Sequence, residues 1–305
     1  MKVKMRVPST TANLGPGFDV FGAALSLYNE FEVEYLPNVK KTIFVLKGEG
    51  QKALPKNEKN LVWQSMQETF KFFGEKKYNL KNLNITINTN IPLSGGLGSS
   101  ASAIVGGIAL ANVLCGDKLN KSQIADLGIK IEGHPDNIVP AVFGGLCICG
   151  KDERGTHGTV VHLPLPKLKV VLCVPSFELR TKHSRQILPK CVNLKDVVFN
   201  ISRVALLTAA FCSGDYELLK KGMQDKIHQP YREKMVPAMN EVLETAVSAG
   251  AYGAFLSGSG PAIASFCAKK DAVNIQKAMI KKWKKESVSV KSYILNFDAK
   301  GVVRM

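Results

Sequence analysis

The chain has 305 residues, 45% of them hydrophobic and 22% charged, with a formal net charge of +16. That length holds one large domain or two modest ones, and that balance excludes disordered and fibrous classes. The lysine excess raises a nucleic-acid or membrane partner, but no zinc-finger spacing or RNA-binding aromatic signature accompanies it. It reads as a solvated surface that attracts anionic small molecules, with no nucleic-acid partner expected.

In chain order, residues 3–7 read as a strand and 9–22 as a turn-rich loop around Gly15, Pro16 and Gly17. Residues 30–35 and 42–47 alternate as strands, and 60–73 form a helix. A strand follows at 83–91, with Leu83, Ile85 and Ile87 on one face and Asn84, Thr86 and Asn88 on the other. An apolar helix covers 99–114. A second spans 122–132 with Ser122 as its expected N-cap. The stretch Gly133-His134-Pro135-Asp136-Asn137 breaks it, and 143–149 returns as strand. The charged run 151–157 is the candidate linker, giving expected domains at 1–155 and 156–305. Beyond it come a strand at 168–174, helices at 195–212, 216–223 and 232–248, strands at 252–256 and 262–266, a helix from Asp271 and a strand at 288–295. Strands and helices mix without regular βα alternation, which predicts an α+β architecture.

The seven cysteines are odd in number, scattered and without a Cys-x-x-Cys pair. They read as core residues of a reducing compartment rather than disulfides or metal ligands. Met1 to Val7 is short, basic and mixed, and the helix after 99 is too short to span a bilayer. Cytoplasmic location without a membrane partner is the expectation.

The most informative stretch is Pro92-Leu93-Ser94-Gly95-Gly96-Leu97-Gly98-Ser99-Ser100-Ala101-Ser102, between a strand and a helix. Its glycines let backbone N–H groups approach a ligand, and the helix N-terminus adds unpaired donors and a positive dipole end. That suits a nucleotide triphosphate, with serine hydroxyls reaching a phosphate or Mg²⁺. No lysine follows Gly98, so it is not a Walker loop. Gly96-x-Gly98-x-x-Ala101 fits a dinucleotide fingerprint formally, but the half-polar strand before it does not fit a buried parallel Rossmann strand.

Elsewhere, Glu132 and Asp136 bracket His134. Arg185 and Arg232 lie in polar segments, where an acceptor bearing a carboxylate would want an arginine fork. Gly258-Ser259-Gly260 reads as a turn between strands.

Three separated segments resemble the motifs of the GHMP small-molecule kinases: Pro8 to Asp19, the loop from Pro92 to Ser102, and Gly250 to Pro261. Asn13 to Asp19, Glu132 to Asn137, Thr181-x-x-x-Arg185 and the Arg232 segment match the branch acting on the amino acid L-homoserine. The resemblance implies a two-domain GHMP kinase fold. Its N-terminal domain would be like ribosomal protein S5 domain 2 and its C-terminal domain ferredoxin-like. It implies phosphoryl transfer from ATP, with Mg²⁺, to the L-homoserine hydroxyl, and a homodimer. ATP would lie on Pro92 to Ser102 and near Asn60. Ser100 and Glu132 would hold the metal. Asn13, Asp19, His134, Asp136, Thr181, Arg185, Arg232 and Gly258 would form the acceptor site. From the chemistry of the acceptor, Asn137 is expected to orient its hydroxyl and Asp19 to be the base, if there is one. Two alternatives stay open: a GHMP kinase with another hydroxyl acceptor, and a non-catalytic sensor of ATP and ligand.

Overall fold

A computed structural model of the chain describes residues 1–74, 80–153, 157–177, 179 and 181–305, the side chains of 151, 157, 158, 181 and 182 excepted. Its spine is the antiparallel pair β1 (Lys2–Ala12) and β2 (Phe21–Tyr35). β1 runs on through the segment expected as loop, because Ser9, Thr10 and Thr11 pair with Leu25, Ala24 and Ala23 after a bulge at Pro8 and Ser9. β3 (Ile43–Gly48) lies parallel to β4 (Leu83–Thr89), which pairs with the far half of β2. Leu83, Ile85 and Ile87 are buried and their polar neighbours half-exposed, as the alternation predicted. β5 (Leu146–Lys151) pairs with the near end of β2 and with β6 (His157–Leu163). The division expected at 155 therefore falls inside a hairpin of this first sheet.

Four helices cover the sheet: α1 (Leu61–Phe72), α2 (Ser99–Leu114), α3 (Lys121–Glu132) and α4 (Pro135–Phe143). Asn120, not Ser122, caps α3, in a reciprocal capping box with Gln123. α4 replaces the expected break and the start of the expected strand. Pro135 occupies its first turn, where a missing N–H costs nothing, and its apolar run from Ile138 to Val142 is buried.

The second half holds β7 (Lys169–Pro175), α5 (Thr181–Gln186), α6 (Leu194–Ser213), α7 (Leu219–Gly222), α8 (Gln229–Arg232), α9 (Met239–Ser248), β8 (Gly253–Leu256), β9 (Ile263–Cys267), α10 (Ala272–Lys285) and β10 (Val290–Leu295). The single helix expected over 232–248 is two, α8 and α9, joined through a 3₁₀ turn at Glu233–Met235 and by Pro237. Its sheet is antiparallel in the order β10-β7-β9-β8. The chain then returns to the first sheet, where β11 (Val303–Arg304) pairs with β1. One core fills the space under α1 to α4, and a second, with Leu14, Phe21, Leu97, Leu172 and Phe255, joins the two sheets. The architecture is α+β in two domains. α6 is long and apolar enough, by length and composition, to cross a membrane.

Cys115, Cys147, Cys149, Cys173 and Cys267 are buried. Burial pushes the Cys147 and Cys173 thiols up to about 12 and, as the largest effect, Cys267 to about 11. The thiolate is the reactive form. Native protein treated with iodoacetamide at neutral pH should leave these five unmodified by mass spectrometry, and denaturant should expose all five.

Candidate active site

The glycine-rich loop is held from both sides. The Thr10 N–H donates to the Leu97 carbonyl at 3.1 Å, and the Ala262 N–H donates to the Gly95 carbonyl at 3.2 Å. The Ser257 hydroxyl donates to the Gly96 carbonyl at 2.6 Å, and the Gly258 N–H to the Ala12 carbonyl at 3.0 Å. Thus β1, the loop and the β8–β9 turn form one backbone assembly. Two glycines permit it. A Cβ on Gly96 would lie 2.3 Å from the Ser257 carbonyl, and one on Gly98 would lie 1.8 Å from Thr10 Oγ1. Both take positive φ, 76° and 66°, which side chains resist. Gly98 is the N-cap of α2, so the helix N-terminus opens directly onto the loop.

This loop walls a cavity of about 330 Å³. Leu93 through Ser100 line it, together with Asn13, Glu132, His134, Asp136, Asn137, Arg185 and Gly258. Leu54, Leu61 and Ala103 line it as well, and sequence reading missed these three because an apolar wall carries no motif. Pro92, Ala101 and Ser102 do not line it, and the Ser102 hydroxyl is buried without a partner. Asn60 stands behind the wall. Its side chain accepts from the Val62 N–H as the N-cap of α1 and donates to the Pro55 carbonyl at 2.8 Å. The Thr181 side chain lies outside the described residues.

Two charged groupings stand at the cavity, and all of their charged members but Asp19 line it. At the α2 end, the Ser100 hydroxyl donates to Glu132 Oε2 at 2.8 Å. Glu132 Oε1 lies 3.9 Å from His134 Nε2, and His134 Nδ1 donates to Asp136 Oδ1 at 2.6 Å. The Asn137 amide also donates to Asp136, at 3.1 Å, and accepts from Thr10 Oγ1 at 2.7 Å, which fixes its orientation. Burial alone would lower the His134 imidazole, but the hydrogen bond and charge of Asp136, with Glu132, outweigh it and raise its pKa.

In the second grouping, Arg185 grips Asp19 with a two-pronged fork, Nη1 to Oδ2 at 2.9 Å and Nη2 to Oδ1 at 2.6 Å. Asp19 sits at φ 59°, with its N–H bonded to Asn13 Oδ1 at 3.0 Å. Asn13 donates in turn to the Gly258 carbonyl at 2.8 Å. Ligand atoms of Asp19, His134 and Asp136 lie within 4.8 Å of one another, so the two groupings meet.

Arg232 is different from Arg185. It is 1% exposed and lies under the site, not on the cavity wall. Its guanidinium donates to the carbonyls of Ser184 at 3.3 Å and Gly258 at 3.1 Å, and to His228 Nδ1 at 3.1 Å. His228 Nε2 donates to the Gly15 carbonyl at 2.7 Å, so this histidine is neutral, in keeping with the downward shift that burial causes. The two arginines share the Phe18 ring, each 5.4 Å from its centre. Burial, then the Arg185 cation, brings Arg232 down to about 10. His228 escaped sequence reading, although its position four residues before Arg232, on one helical face, was a usable signal.

The GHMP kinases N-terminal domain model matches residues 60–145 and the GHMP kinases C-terminal model residues 207–285. Fold and loop are thus those of an ATP-using GHMP kinase. A homoserine kinase of Desulfitobacterium hafniense is 40% identical over 299 residues, covering 98% of each chain. One of Carboxydothermus hydrogenoformans is 43% identical over 267 residues, covering 88% of this chain and 86% of that one. The crystal structure of the homoserine kinase of Cytophaga hutchinsonii superposes with a TM-score of 0.88 at 30% identity, covering 100% of this chain and 97% of that one. The chain belongs to the homoserine kinase family of the GHMP kinases.

Replacing Arg232 tests its buried role. Arg232→Leu leaves the buried Ser184 carbonyl and His228 Nδ1 without the Arg232 donor, at about 1–3 kcal/mol per unsatisfied group, while the Gly258 carbonyl keeps Asn13. The urea midpoint should fall markedly. A midpoint equal to that of the unaltered protein would mean that Arg232 serves a ligand instead of the fold.

Proposed function

We propose that this protein transfers the γ-phosphoryl group of ATP to the side-chain hydroxyl of L-homoserine, giving ADP and O-phospho-L-homoserine. One observation carries the reading. A single cavity is lined by a helix N-terminus and glycine loop and by Arg185, whose guanidinium is forked onto Asp19, matching a triphosphate and a zwitterionic amino acid.

Backbone donors of Ser94 to Ser100 cradle the phosphates, with no lysine in the main contact. Asp19 and Arg185 neutralise each other across the acceptor end. An incoming amino acid exchanges partners with them, its ammonium taking Asp19 and its carboxylate Arg185, so the fork opens without a net change of buried charge. Asn137, already held by Thr10 and Asp136, is aimed to orient the acceptor hydroxyl. His134 and Asp136 close the floor between the two ligands, and Arg232 holds Gly258 and Phe18 in place below them.

Mg²⁺ fits the pair Ser100 and Glu132. Both offer hard oxygen donors, and their 2.8 Å separation matches the edge of about 3 Å in an octahedron with bonds of about 2.1 Å. When bound, the ion supplies charge to the β- and γ-phosphates. The rest of catalysis is positioning and neutralisation, sufficient for a loose phosphoryl transition state. Asp19 is the candidate to accept the hydroxyl proton once Arg185 has moved to the carboxylate. We place the working molecule in the homodimeric state.

The direct test is ADP release driven by homoserine, mevalonate, shikimate or galactose. Homoserine should be the preferred acceptor by a wide margin, and equal rates with another alcohol would overturn the assignment. Glu132→Ala should retain the fold by circular dichroism and lose about 100-fold or more in turnover. Near-normal turnover at ordinary Mg²⁺ would remove Glu132 from the metal site. Arg185→Leu removes the acceptor's carboxylate partner, worth about 2–4 kcal/mol for a desolvated charge pair. The homoserine KM should rise about 30-fold or more while the ATP KM stays within a few-fold. A joint rise of both would place Arg185 at the phosphates.

A further inference from the structure

α6 has two opposite faces. Asn200, Leu207, Ala210 and Phe211 are buried against the second half of the chain. On the other side Leu194, Val198 and Ile201 are 75%, 58% and 62% exposed. Ala205, Ala209 and Cys212 continue that side and are exposed too, with Thr208 half-exposed. Leu194, Val198, Ile201, Ala205, Thr208 and Cys212 follow one another at steps of four and three in alternation. That is the period of a seam between two paired helices.

The charges beside this seam are turned back to their own chain. Asp196 lies 3.5 Å from Lys226, and Arg203 donates to Gln224 at 3.0 Å with its guanidinium 4.2 Å over the Phe199 ring. The apolar line is therefore left clear along a helix of 20 residues, about 30 Å long.

The seam is also graded. Its first half carries the large residues Leu194, Val198 and Ile201, and its second half the small ones Ala205, Thr208 and Cys212. A copy running the other way, midpoint on midpoint, sets Leu194 on the partner's Cys212, Val198 on the partner's Thr208 and Ile201 on the partner's Ala205. Every layer then joins one large and one small side chain, which lets the helices approach evenly. A parallel copy would stack large on large at one end and leave a gap at the other. Charge agrees with the antiparallel choice. Exposed Lys190 and Lys195 lie at the start of α6, and exposed Asp215 and Glu217 lie just past its end. Reversal brings Lys190 and Lys195 beside the partner's Asp215 and Glu217 and the negative pole of the helix dipole, with exposed Lys220 and Lys221 further on.

We propose that two copies of this protein pair through α6, antiparallel about a two-fold axis. This deepens the homodimer reading given above and names its surface. The contact is isologous, since each copy gives both halves of the same seam.

The test uses the whole chain. Sedimentation velocity at micromolar concentration should give a dimer, and Ile201→Glu should give a monomer that keeps homoserine-dependent ADP release. Cys212 should react slowly with iodoacetamide in the dimer and rapidly in that variant. Leu194→Cys, made with Cys191→Ser, should form a covalent dimer on mild oxidation, through position 194 and the partner's Cys212. Adding Cys212→Ser should abolish that link. A dimer that survives Ile201→Glu means pairing through another face, and overturns this surface while sparing the homodimer. A monomeric unaltered protein overturns both. A link that persists without Cys212 means a parallel arrangement. Binding of the monomer to anionic phospholipid vesicles, lost in Ile201→Glu, would assign the seam to a lipid surface instead.

Discussion

The structure depends on the seam at which the glycine-rich loop meets both halves of the molecule. The glycine loop is clamped between β1 and the β8–β9 turn by hydrogen bonds to its carbonyls from both halves of the molecule, two from main-chain N–H groups and one from the Ser257 hydroxyl. A Cβ at Gly96 would run into the Ser257 carbonyl of the turn, and one at Gly98 into the Thr10 side chain of β1. The same constraint delivers function. With its carbonyls bonded outward to β1 and the turn, the loop is left with N–H groups to offer a ligand, and α2 adds its own free donors. Under the reading proposed above, such a loop can hold phosphates without a lysine, since its donors are fixed by the fold rather than by a flexible side chain.

Around that seam the polar groups are arranged in reciprocal pairs. Ser100 answers Glu132, His134 answers Asp136, and Arg185 answers Asp19. Buried charges left single would be costly. Pairing them keeps the cavity stable before any ligand arrives, while each partner remains chemically matched to something a ligand carries. Arg232 belongs to a deeper layer, with His228 and the Gly258 carbonyl, and holds the floor on which the pairs stand.

Local pattern carried much of this into the sequence. α2 begins at Ser99 as read, because a glycine run meets an apolar run there with no ambiguity. β4 shows its buried face by strict alternation. α4 was hidden because proline after Gly133-His134 signals an end as readily as a beginning, and a helix apolar all round shows no period. The site was legible as a set of residue types but not as an arrangement. The fork joins residues 166 apart, and nothing local separates Arg185, which reaches the cavity, from Arg232, which lies beneath it. Those differences arise from packing, where two arginines meet one phenylalanine ring from different depths.

The last turn of the chain has a consequence for how the molecule comes to be. Asp298 accepts from the Gly301 and Lys300 N–H groups and from the Tyr28 hydroxyl, and β11 then lies along β1. The first sheet is thus edged by residues some 300 positions after its first strand. On the ribosome, where domains ordinarily fold as they emerge, Met5 and Arg6 on the outer edge of β1 wait for their partners until residue 304 has been made. The early half waits for the late half to close it, and truncating the chain before Asp298 would leave a bare strand edge, the surface on which β-proteins aggregate.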